Sequence, residues 1–293
     1  MVTERFAPSP TGPLHLGHAF SAWVGWKAAR AAGGRFLLRM EDLDTSRTRP
    51  EYYGLIEQDL AWLGLDWDGA ILCQTTRQDA YRGALAQLEA AGLTYRCTCT
   101  RRDIQDALSA PQEGVPTHGP DGLVYPGTCR AAGHGPDTAH AIRLDMRRAI
   151  ARLGGADTIS KLGFTEIGSG PDGETGEIKL DPHGLVDQVG DVVLARRDGA
   201  TAYHLAVVVD DAHQGITHVT RGEDLFTATP IHRVLQALLD LPTPVYRHHR
   251  LVRDETGKRL AKRDDARAIS TYRAEGMSPR QVLTLAGVSD PRV

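Results

Sequence analysis

The sequence predicts an α/β fold in which helices cover a doubly wound parallel sheet. Residues 2–91 alternate short apolar strands with longer helical stretches, and a second part of the same kind begins near residue 191. This strand–loop–helix–strand–helix order is typical of a Rossmann-like sheet, which binds ligands at the carboxyl ends of its strands. The length of 293 residues suits two domains, or one large α/β domain with an insertion.

The predicted elements follow from apolar runs and from the glycines and prolines between them. In the first half we predict a strand at residues 2–6, a helix from Gly17 to a stop at Gly33 and Gly34, a strand at 35–40, and helices at about 51–63 and 77–91. Further along we predict a mobile loop from Pro111 to Gly122, short strands and turns over 140–190, a strand at 216–220, a helix at 230–239 and a helical end. The expected segments are the first half of the α/β domain at 1–95, an insertion at 96–190, the second half at 191–240 and a basic C-terminal region at 241–293.

Composition excludes several classes of protein. With 41% hydrophobic and 24% charged residues, the chain as a whole is not disordered, collagen-like or a coiled coil. The longest apolar run near the middle, residues 205–209, is too short to span a bilayer, and the first residues lack a signal-peptide pattern. We therefore expect a cytoplasmic protein that makes no membrane contact.

The net charge of −3 hides a basic end. Residues 241–293 hold 11 Lys and Arg against 6 Asp and Glu, whereas the other 240 residues hold 23 against 31. A basic end on an acidic body suggests local contact with a polyanion, although a solvated basic helix surface explains the same pattern.

The first motif joins a stiff loop, Pro8 to Pro13, to the start of a helix and contains His15, Gly17 and His18. A helix N-terminus offers unpaired N–H groups and a partial positive charge, which suit a phosphate. Gly17 lets a base or ribose pack against the backbone, and both histidines can donate to phosphoryl oxygens. Histidines that cap a helix can also be purely structural.

The second motif, Gly257 to Arg263, is a glycine-flanked loop with several cations. Such a loop can close over a triphosphate, and one lysine in it can stabilise transition-state charge without covalent chemistry. Taken alone, the loop is better explained as a basic surface. Together with the first motif, it favours nucleotide binding.

Three of the four cysteines, Cys97, Cys99 and Cys129, fall within 33 residues. In a reducing compartment such a cluster is more typical of a metal site than of a disulfide. Three thiolates fit a tetrahedral zinc site but leave one ligand position open. Cys73 stands alone, and we expect it in the core.

The two motifs resemble signatures of the class I aminoacyl-tRNA synthetases. His15–His18 resembles their HIGH motif, and Arg259–Arg263 resembles their KMSKS loop, although Ala261 and Arg259 stand where Ser and Lys are common. Three further segments are similar to glutamyl-tRNA synthetases in particular. They are residues 5–12, 39–44 and 218–225.

Length distinguishes among relatives within this family. Only about 30 residues follow the Lys262 loop, too few for an anticodon-binding domain with its own core. The chain thus resembles the short glutamyl-queuosine tRNA(Asp) synthetases, which attach glutamate to queuosine in the anticodon of tRNA(Asp). The resemblance implies ATP with Mg²⁺, L-glutamate and queuosine-bearing tRNA(Asp) as partners, and we expect a monomer. No residue specifies queuosine by itself.

The resemblance also implies roles for individual residues. Those implied to bind glutamate are Arg5, Phe6, Ala7, Pro8, Ser9, Glu41, Tyr203 and Arg221. Those implied to bind ATP are His15, Gly17, His18 and Lys262, of which the two histidines and the lysine are also implied in catalysis. Arg5 suits a bidentate contact with the γ-carboxylate, and Glu41 suits the ammonium group. A salt bridge from Arg5 or Arg221 to the acidic turn Glu41–Asp44 is the structural alternative.

For zinc, the resemblance implies one structural ion per chain, held by Cys97, Cys99, Tyr125 and Cys129. Tyrosine is an unusual zinc ligand because its ordinary pKa is about 10. His118 and His134 therefore stay open as alternatives. Four protein ligands would close the site and pin the insertion.

Three other functions remain open at this point. They are a truncated glutamyl-tRNA synthetase that charges a tRNA 3′ end, a small-molecule nucleotidylyltransferase with the same histidine motif, and a catalytically weakened tRNA-binding paralogue. Glutamate-dependent exchange between ATP and pyrophosphate separates an enzyme from a binding protein, and the position of glutamate on the tRNA separates the two synthetases.

Overall fold

The computed structural model describes residues 1–108, 118–135, 137–253 and 267–289 as alternating strands and helices. The strands are β1 Thr3–Phe6, β2 Arg35–Met40, β3 Leu72–Cys73, β4 Thr94–Cys97, β5 His118–Gly119, β6 Gly122–Leu123, β7 Ala141–Leu144, β8 Gly163–Glu166, β9 Gly176–Lys179, β10 Val193–Ala195, β11 His218–Gly222 and β12 Val245–His249. The helices are α1 Leu16–Ala31, α2 Pro50–Trp62, α3 Gln78–Ala90, α4 Arg101–Leu108, α5 Met146–Arg152, α6 Ala156–Ile159, α7 Pro182–Gly184, α8 Tyr203–His213, α9 Thr229–Leu238, α10 Ile269–Ala274 and α11 Pro279–Leu285. Within the described ranges, none of the helices has the length and apolar character needed to span a bilayer.

Two sheets built mainly of parallel strands meet side by side through β1 and β11. β2 pairs in parallel with β1 and β3. β12 pairs in parallel with β11 and β8, and β9 adds an antiparallel edge. The N–H of Thr217 donates to the carbonyl of Thr3 at 3.0 Å and joins the two sheets. The strands that follow β1 and the strands that follow β11 are added on opposite sides of this central pair. The carboxyl ends of β1 and β11 therefore form the switch point at which such a fold binds ligands. The predicted α/β fold with parallel sheets is confirmed.

Helix α1 begins and ends where its sequence predicts. The Nδ1 atom of its N-cap residue, His15, accepts a hydrogen bond from the N–H of Gly17 at 3.1 Å. At the other end Gly33 has a φ of +60°, and a Cβ on Gly34 would lie 2.3 Å from the carbonyl oxygen of Val2. Because glycine alone tolerates both positions at low cost, the helix stops there and the chain enters β2.

A third sheet is antiparallel and has the strand order β10–β7–β4. Its strands come from both sides of the predicted boundaries at residues 95 and 190. In addition, β8 and β9 lie within the predicted insertion, yet they belong to the sheet of β11 and β12. The sheets therefore cross these boundaries, and the division into four segments stays a prediction.

Two regions differ from the local predictions. Residues 140–190 contain helices α5 and α6 besides short strands, and Asp145 caps α5 by accepting from the N–H of Arg148 at 3.0 Å. The loop predicted from Pro111 to Gly122 is wrong over its last residues, where β5 and β6 form a two-residue antiparallel hairpin. Residues 109–117 lie outside the described part of the chain.

Two apolar clusters form most of the core. One packs α1 and α2 against the sheet of β1 and β2 and includes Phe36, Leu60 and Leu283. The other surrounds α8 and α9 and includes Val207 and Leu235. Because Leu283 belongs to α11, the predicted helical end is part of the first cluster.

An ion pair links α10 to α2 at the edge of the first cluster. The side chain of Asp59 is buried, and Oδ1 lies 3.3 Å from Nη1 of Arg273. Burial raises the pKa of Asp59 to about 6, although the charge of Arg273 opposes the shift. An aspartate in an unfolded chain titrates near pH 3.9, so between these values the folded protein binds the proton more tightly than the unfolded chain.

This pair predicts a pH dependence of stability. The contribution of Asp59 to the free energy of unfolding should fall as the pH rises from about 4 to about 6 and then stay level, because burial disfavours the ionised form. Asp59→Asn should therefore be stabilised less than the parent protein when the pH is lowered from 7.5 to 5. Urea denaturation at both pH values measures this difference. The control is Asp157→Asn, which removes an exposed carboxylate and should respond to pH like the parent. An equal pH response in Asp59→Asn and the parent would contradict the raised pKa of Asp59.

Candidate functional site

A cleft of about 610 Å³ opens at the carboxyl ends of β1 and β11. The predicted site residues that line it are Arg5, Phe6, Ala7, Pro8, Ser9, His15, Gly17, His18, Glu41, Tyr203 and Arg221. Lys262 and its neighbours Arg259 and Ala261 lie outside the described residues, so their place at the cleft stays a prediction. The fold thus brings residues from both halves of the chain around one space.

The N-terminus of α1 contributes two histidines to this cleft. The rings of His15 and His18 stack with their centroids 3.8 Å apart. The Nδ1 atom of His18 accepts from the N–H of His15 at 3.3 Å, just as Nδ1 of His15 accepts from Gly17. These acceptor roles place the proton of each neutral ring on Nε2. The structural alternative of a helix cap is therefore present, and it fixes the tautomers of two cleft-lining histidines.

The chain returns to this cap after residues 254–266, which lie outside the described part. His15 forms an isolated antiparallel bridge with Ala268. Before that segment, Val252 lines the cleft. The described residues on both sides of the segment therefore lie at the cleft.

Arg5 is buried at the end of β1 and is held by an aspartate of α8. Its Nε lies 3.1 Å from Oδ1 of Asp211, and its Nη1 donates to the carbonyl of Thr220 at 3.4 Å. Arg39 donates to the same aspartate oxygen at 2.8 Å. Burial would raise the pKa of Asp211, but the two guanidinium groups hold it below its ordinary value. Arg5 therefore forms its salt bridge with α8. The salt bridge between Arg5 and the acidic turn Glu41–Asp44, given above as the structural alternative, is wrong.

Glu41 and Asp211 contact different terminal nitrogens of Arg39. Its Oε1 is 3.5 Å from Nη2 of Arg39, and only 13% of its side chain is exposed. Burial raises the pKa of Glu41, although the charges of Arg39 and Arg5 oppose the shift. A cationic group that enters the cleft would favour the ionised carboxylate.

Arg221 is buried near the end of β11, and neutral acceptors surround it. It donates to Nε2 of His248 at 3.1 Å, to Oγ1 of Thr229 at 2.7 Å, and it lies 3.2 Å from Nδ1 of His232. Burial, reinforced by the charge of Arg221, lowers the pKa of His232 well below its ordinary value. Within the described ranges no carboxylate forms a salt bridge with Arg221. Its positive charge therefore suits an incoming anion.

The other predicted residues shape the wall of the cleft. The ring of Tyr203 packs edge-on against that of His232, with centroids 5.6 Å apart. The carbonyl of Pro8 accepts from the N–H of Glu41 at 3.0 Å and ties the stiff loop to the acidic turn. The ring of Phe6 lies 6.5 Å from that of His18.

Sequence reasoning missed the residues that hold the two arginines. These residues are Asp211, which holds Arg5, and Thr229, His232 and His248, which surround Arg221. These side chains reach Arg5 and Arg221 through tertiary packing. Their residue types are the one sequence signal that could have drawn attention to them.

The three cysteines predicted to bind zinc come together at the edge of the antiparallel sheet. The Sγ atoms of Cys97, Cys99 and Cys129 all lie within 4.8 Å of one another, which fits the thiolates of a tetrahedral zinc site. The Tyr125 hydroxyl lies 3.3 Å from Sγ of Cys99 and accepts from the N–H of Cys129 at 2.9 Å. Tyr125 is therefore within reach of the open ligand position.

His134 competes with Tyr125 for that position. Its Nε2 lies 3.3 Å from Sγ of Cys129. His118 instead lines another cavity, together with Phe164. Burial would raise the pKa of Cys129, but hydrogen bonds, of which the one with Tyr125 has the largest effect, lower it to about 5. This thiol therefore readily becomes a thiolate. Burial raises the pKa of Tyr125, so a metal would be needed to draw off its proton.

Comparison with known proteins places the chain among synthetases. The family model described as "tRNA synthetases class I (E and Q), catalytic domain" matches residues 1–120 and 169–289. A "Glutamyl-Q tRNA(Asp) synthetase" of Rhodobacter capsulatus is 54% identical over 294 residues, which cover 98% of this chain and 100% of that protein. A protein of the same name from Nocardia farcinica is 47% identical over 96% of this chain and 82% of its own length.

Solved structures agree with these relatives. The glutamate tRNA ligase of Elizabethkingia meningosepticum, in complex with its amino acid, superposes with a TM-score of 0.72 at 26% identity. That match covers 96% of this chain but 60% of the ligase. The methionyl-tRNA synthetase of Mycobacterium tuberculosis, at 9% identity and a TM-score of 0.59, shares the fold alone.

The shared salt bridge predicts a large loss of stability in Asp211→Asn. The amide cannot balance two buried guanidinium groups, so the free energy of unfolding should fall by about 3–5 kcal/mol. Urea denaturation measures the change. The matched control is Asp198→Asn, which breaks an exposed pair with Arg196 and should cost less than about 1 kcal/mol. Equal losses in the two variants would contradict the structural role of Asp211.

Proposed function

Because the chain belongs to the class I tRNA synthetases for glutamate and glutamine, and within them to the glutamyl-Q tRNA(Asp) synthetases, we propose that it activates L-glutamate with ATP and transfers it to queuosine in the anticodon of tRNA(Asp). The observation that carries this proposal is the single cleft in which a helix N-terminus with two histidines faces the same space as two buried arginines. Such an enzyme is a ligase, and its tRNA substrate supports the cytoplasmic location that we predicted, whereas the monomer stays a prediction.

The arginines and Glu41 match the charges of glutamate. We assign the γ-carboxylate to Arg5 and Arg221 and the ammonium group to Glu41. Arg221 supports this assignment because its protein partners are neutral, so its charge is available to a carboxylate. Glutamine would place an amide N–H₂ against a guanidinium donor, and such mispairing in a buried site costs on the order of a few kcal/mol. Ser9, Ala7 and the other predicted residues complete the wall.

The N-terminus of α1 suits the phosphates of ATP. Its partial positive charge attracts phosphoryl oxygens, and the Nε2–H groups of His15 and His18 can donate to them. Gly17 leaves room for the base or ribose. By resemblance, Lys262 adds a positive charge to the pyrophosphate side, and Mg²⁺ accompanies ATP.

Two displacements complete the proposed reaction. The glutamate α-carboxylate attacks the α-phosphorus of ATP, which forms glutamyl-adenylate and releases pyrophosphate. A hydroxyl of the queuosine cyclopentenediol then attacks the acyl carbon, AMP leaves, and an ester remains on the base. Neither step needs a covalent bond to the protein, so positioning and charge stabilisation are the work of the cleft.

For the metal, we propose one zinc ion held by Cys97, Cys99, Cys129 and Tyr125. The clustering of the three sulfurs and the position of the Tyr125 hydroxyl support this set. Four protein ligands leave no open position for a substrate, so the ion would be structural. It would join β4 to the chain that follows the β5–β6 hairpin.

The decisive test of the function offers labelled glutamate, glutamine and aspartate to tRNA(Asp) with and without queuosine. We expect glutamate alone to be attached, and only to the queuosine-bearing tRNA. Removing the 3′-terminal adenosine should leave the reaction intact, because the ester forms in the anticodon.

Two results would contradict this proposal. Glutamate on the 3′ end of tRNA(Glu) would establish the truncated glutamyl-tRNA synthetase instead. Binding of tRNA with no glutamate-dependent exchange between ATP and pyrophosphate would establish a non-catalytic paralogue.

The zinc site predicts one equivalent of zinc in the purified protein, measured by mass spectrometry of the metal. Cys99→Ser should lose most of it and unfold at a lower temperature, because metal binding contributes to folding. Cys73→Ser is the control and should keep the metal. If His134→Ala loses zinc and Tyr125→Phe keeps it, the fourth ligand is His134. A full equivalent of zinc in Cys99→Ser would overturn the site.

A further inference from the structure

A chain of polar contacts runs from Arg221 in the cleft to the β5–β6 hairpin. Arg221 lies 3.2 Å from Nδ1 of His232, whose Nε2 lies 3.1 Å from Nδ1 of His204. The Nε2 atom of His204 in turn lies 3.3 Å from Oδ1 of Asp121, at the turn of the hairpin. Both histidines are buried, whereas 42% of the Asp121 side chain is exposed. The contacts therefore lead from a buried guanidinium to the protein surface.

The position of each proton in this chain follows from the arginine. A guanidinium only donates, so Nδ1 of His232 must accept, and the proton of that neutral ring lies on Nε2. His232 then donates to Nδ1 of His204, which places the proton of His204 on Nε2, facing Asp121. Every contact has one donor and one acceptor. A change of tautomer at either histidine would set two donors against each other.

A shorter chain leaves Arg221 on its other side. Nε of Arg221 donates to Nε2 of His248, so His248 carries its proton on Nδ1, 2.5 Å from Oε2 of Glu166. The carboxylates that balance Arg221 thus lie beyond neutral rings on both sides. This arrangement orients the guanidinium without placing an anion against it.

We propose that His232, His204 and Asp121 are positioning residues that hold Arg221 for glutamate, and that they couple the β5–β6 hairpin to the amino-acid pocket. This inference rests on the proposed function and deepens it. None of the three residues needs to touch the substrate. Their effect is on the orientation of Arg221, so it should appear in glutamate binding and leave ATP binding unchanged.

Packing between α8 and α9 does not by itself require a chain of polar side chains. Buried polar atoms cost free energy unless each is hydrogen-bonded, and two apolar rings would fill the space between α8 and α9 without that requirement. The contacts therefore serve orientation better than packing. Because Asp121 is partly exposed, it can be changed with little effect on the core.

The test is calorimetric titration of the full-length protein with L-glutamate. Asp121→Asn should raise the Kd about threefold, because a neutral acceptor replaces a charged one. His204→Phe should raise it about tenfold or more, because His232 loses its acceptor. His204→Gln should fall between parent and His204→Phe, since its amide oxygen can still accept. Arg221→Gln sets the upper limit of the effect.

Steady-state exchange between ATP and pyrophosphate separates positioning from general damage. We expect the KM for glutamate to rise in the Asp121 and His204 variants, while their KM for ATP and their kcat change by less than about twofold. Asp187→Asn is the matched control, because it removes an exposed carboxylate from the segment Leu185–Val189. Glutamate should also slow amide hydrogen exchange of residues 118–123 in the parent and not in His204→Phe.

The outcomes distinguish this inference from the proposed function. A parent protein that binds no glutamate would overturn both. A parent that binds glutamate, together with Asp121→Asn and His204→Phe variants of equal affinity, would overturn the positioning role alone. Equal rises in the KM for glutamate and for ATP would show damage to the fold and would also count against it.

Discussion

One aspartate carboxylate ties together the two halves of the cleft. Asp211 of α8 accepts from Arg5 at the end of β1 and from Arg39 near the end of β2. Adjacent parallel strands lie about 4.8 Å apart, so two buried guanidinium groups at their ends would repel without an anion between them. The preceding residue, Asp210, accepts from Arg77 and Tyr81 and extends the same attachment to α3 and the turn before it. The positions of two glutamate-binding candidates, Arg5 on β1 and Glu41 directly after β2, therefore depend on α8.

The two arginines of the cleft are held in opposite ways. Arg5 shares a carboxylate with Arg39, so much of its charge is already balanced within the protein. Arg221 is surrounded by neutral rings and a hydroxyl. The carboxylates that balance its charge do not touch it, because one histidine separates it from Glu166 and two histidines separate it from Asp121. A carboxylate that enters the cleft therefore meets less competition for the charge of Arg221 than for that of Arg5, which combines a structural role with any contact it makes to a ligand.

Local features of the fold could be predicted because they depend on neighbouring residues. The strand at 35–40, the stop at Gly33 and Gly34 and the grouping of the three cysteines all follow from short-range patterns. The partners of the arginines could not, because Asp211 is 206 positions from Arg5 and His248 is 27 from Arg221. Two-residue strands and the attachment of β8 and β9 to the sheet of β12 likewise depend on tertiary packing, which no periodicity reveals.

The bridge between His15 and Ala268 restricts where the second motif can act. Lys262 is five residues from Arg267, and an extended chain spans at most about 3.6 Å per residue, so their Cα atoms lie within about 18 Å. Covalent geometry alone thus limits how far Lys262 can lie from Arg267, which stands next to the residue that bridges the cap of α1, where we propose that the phosphates of ATP bind.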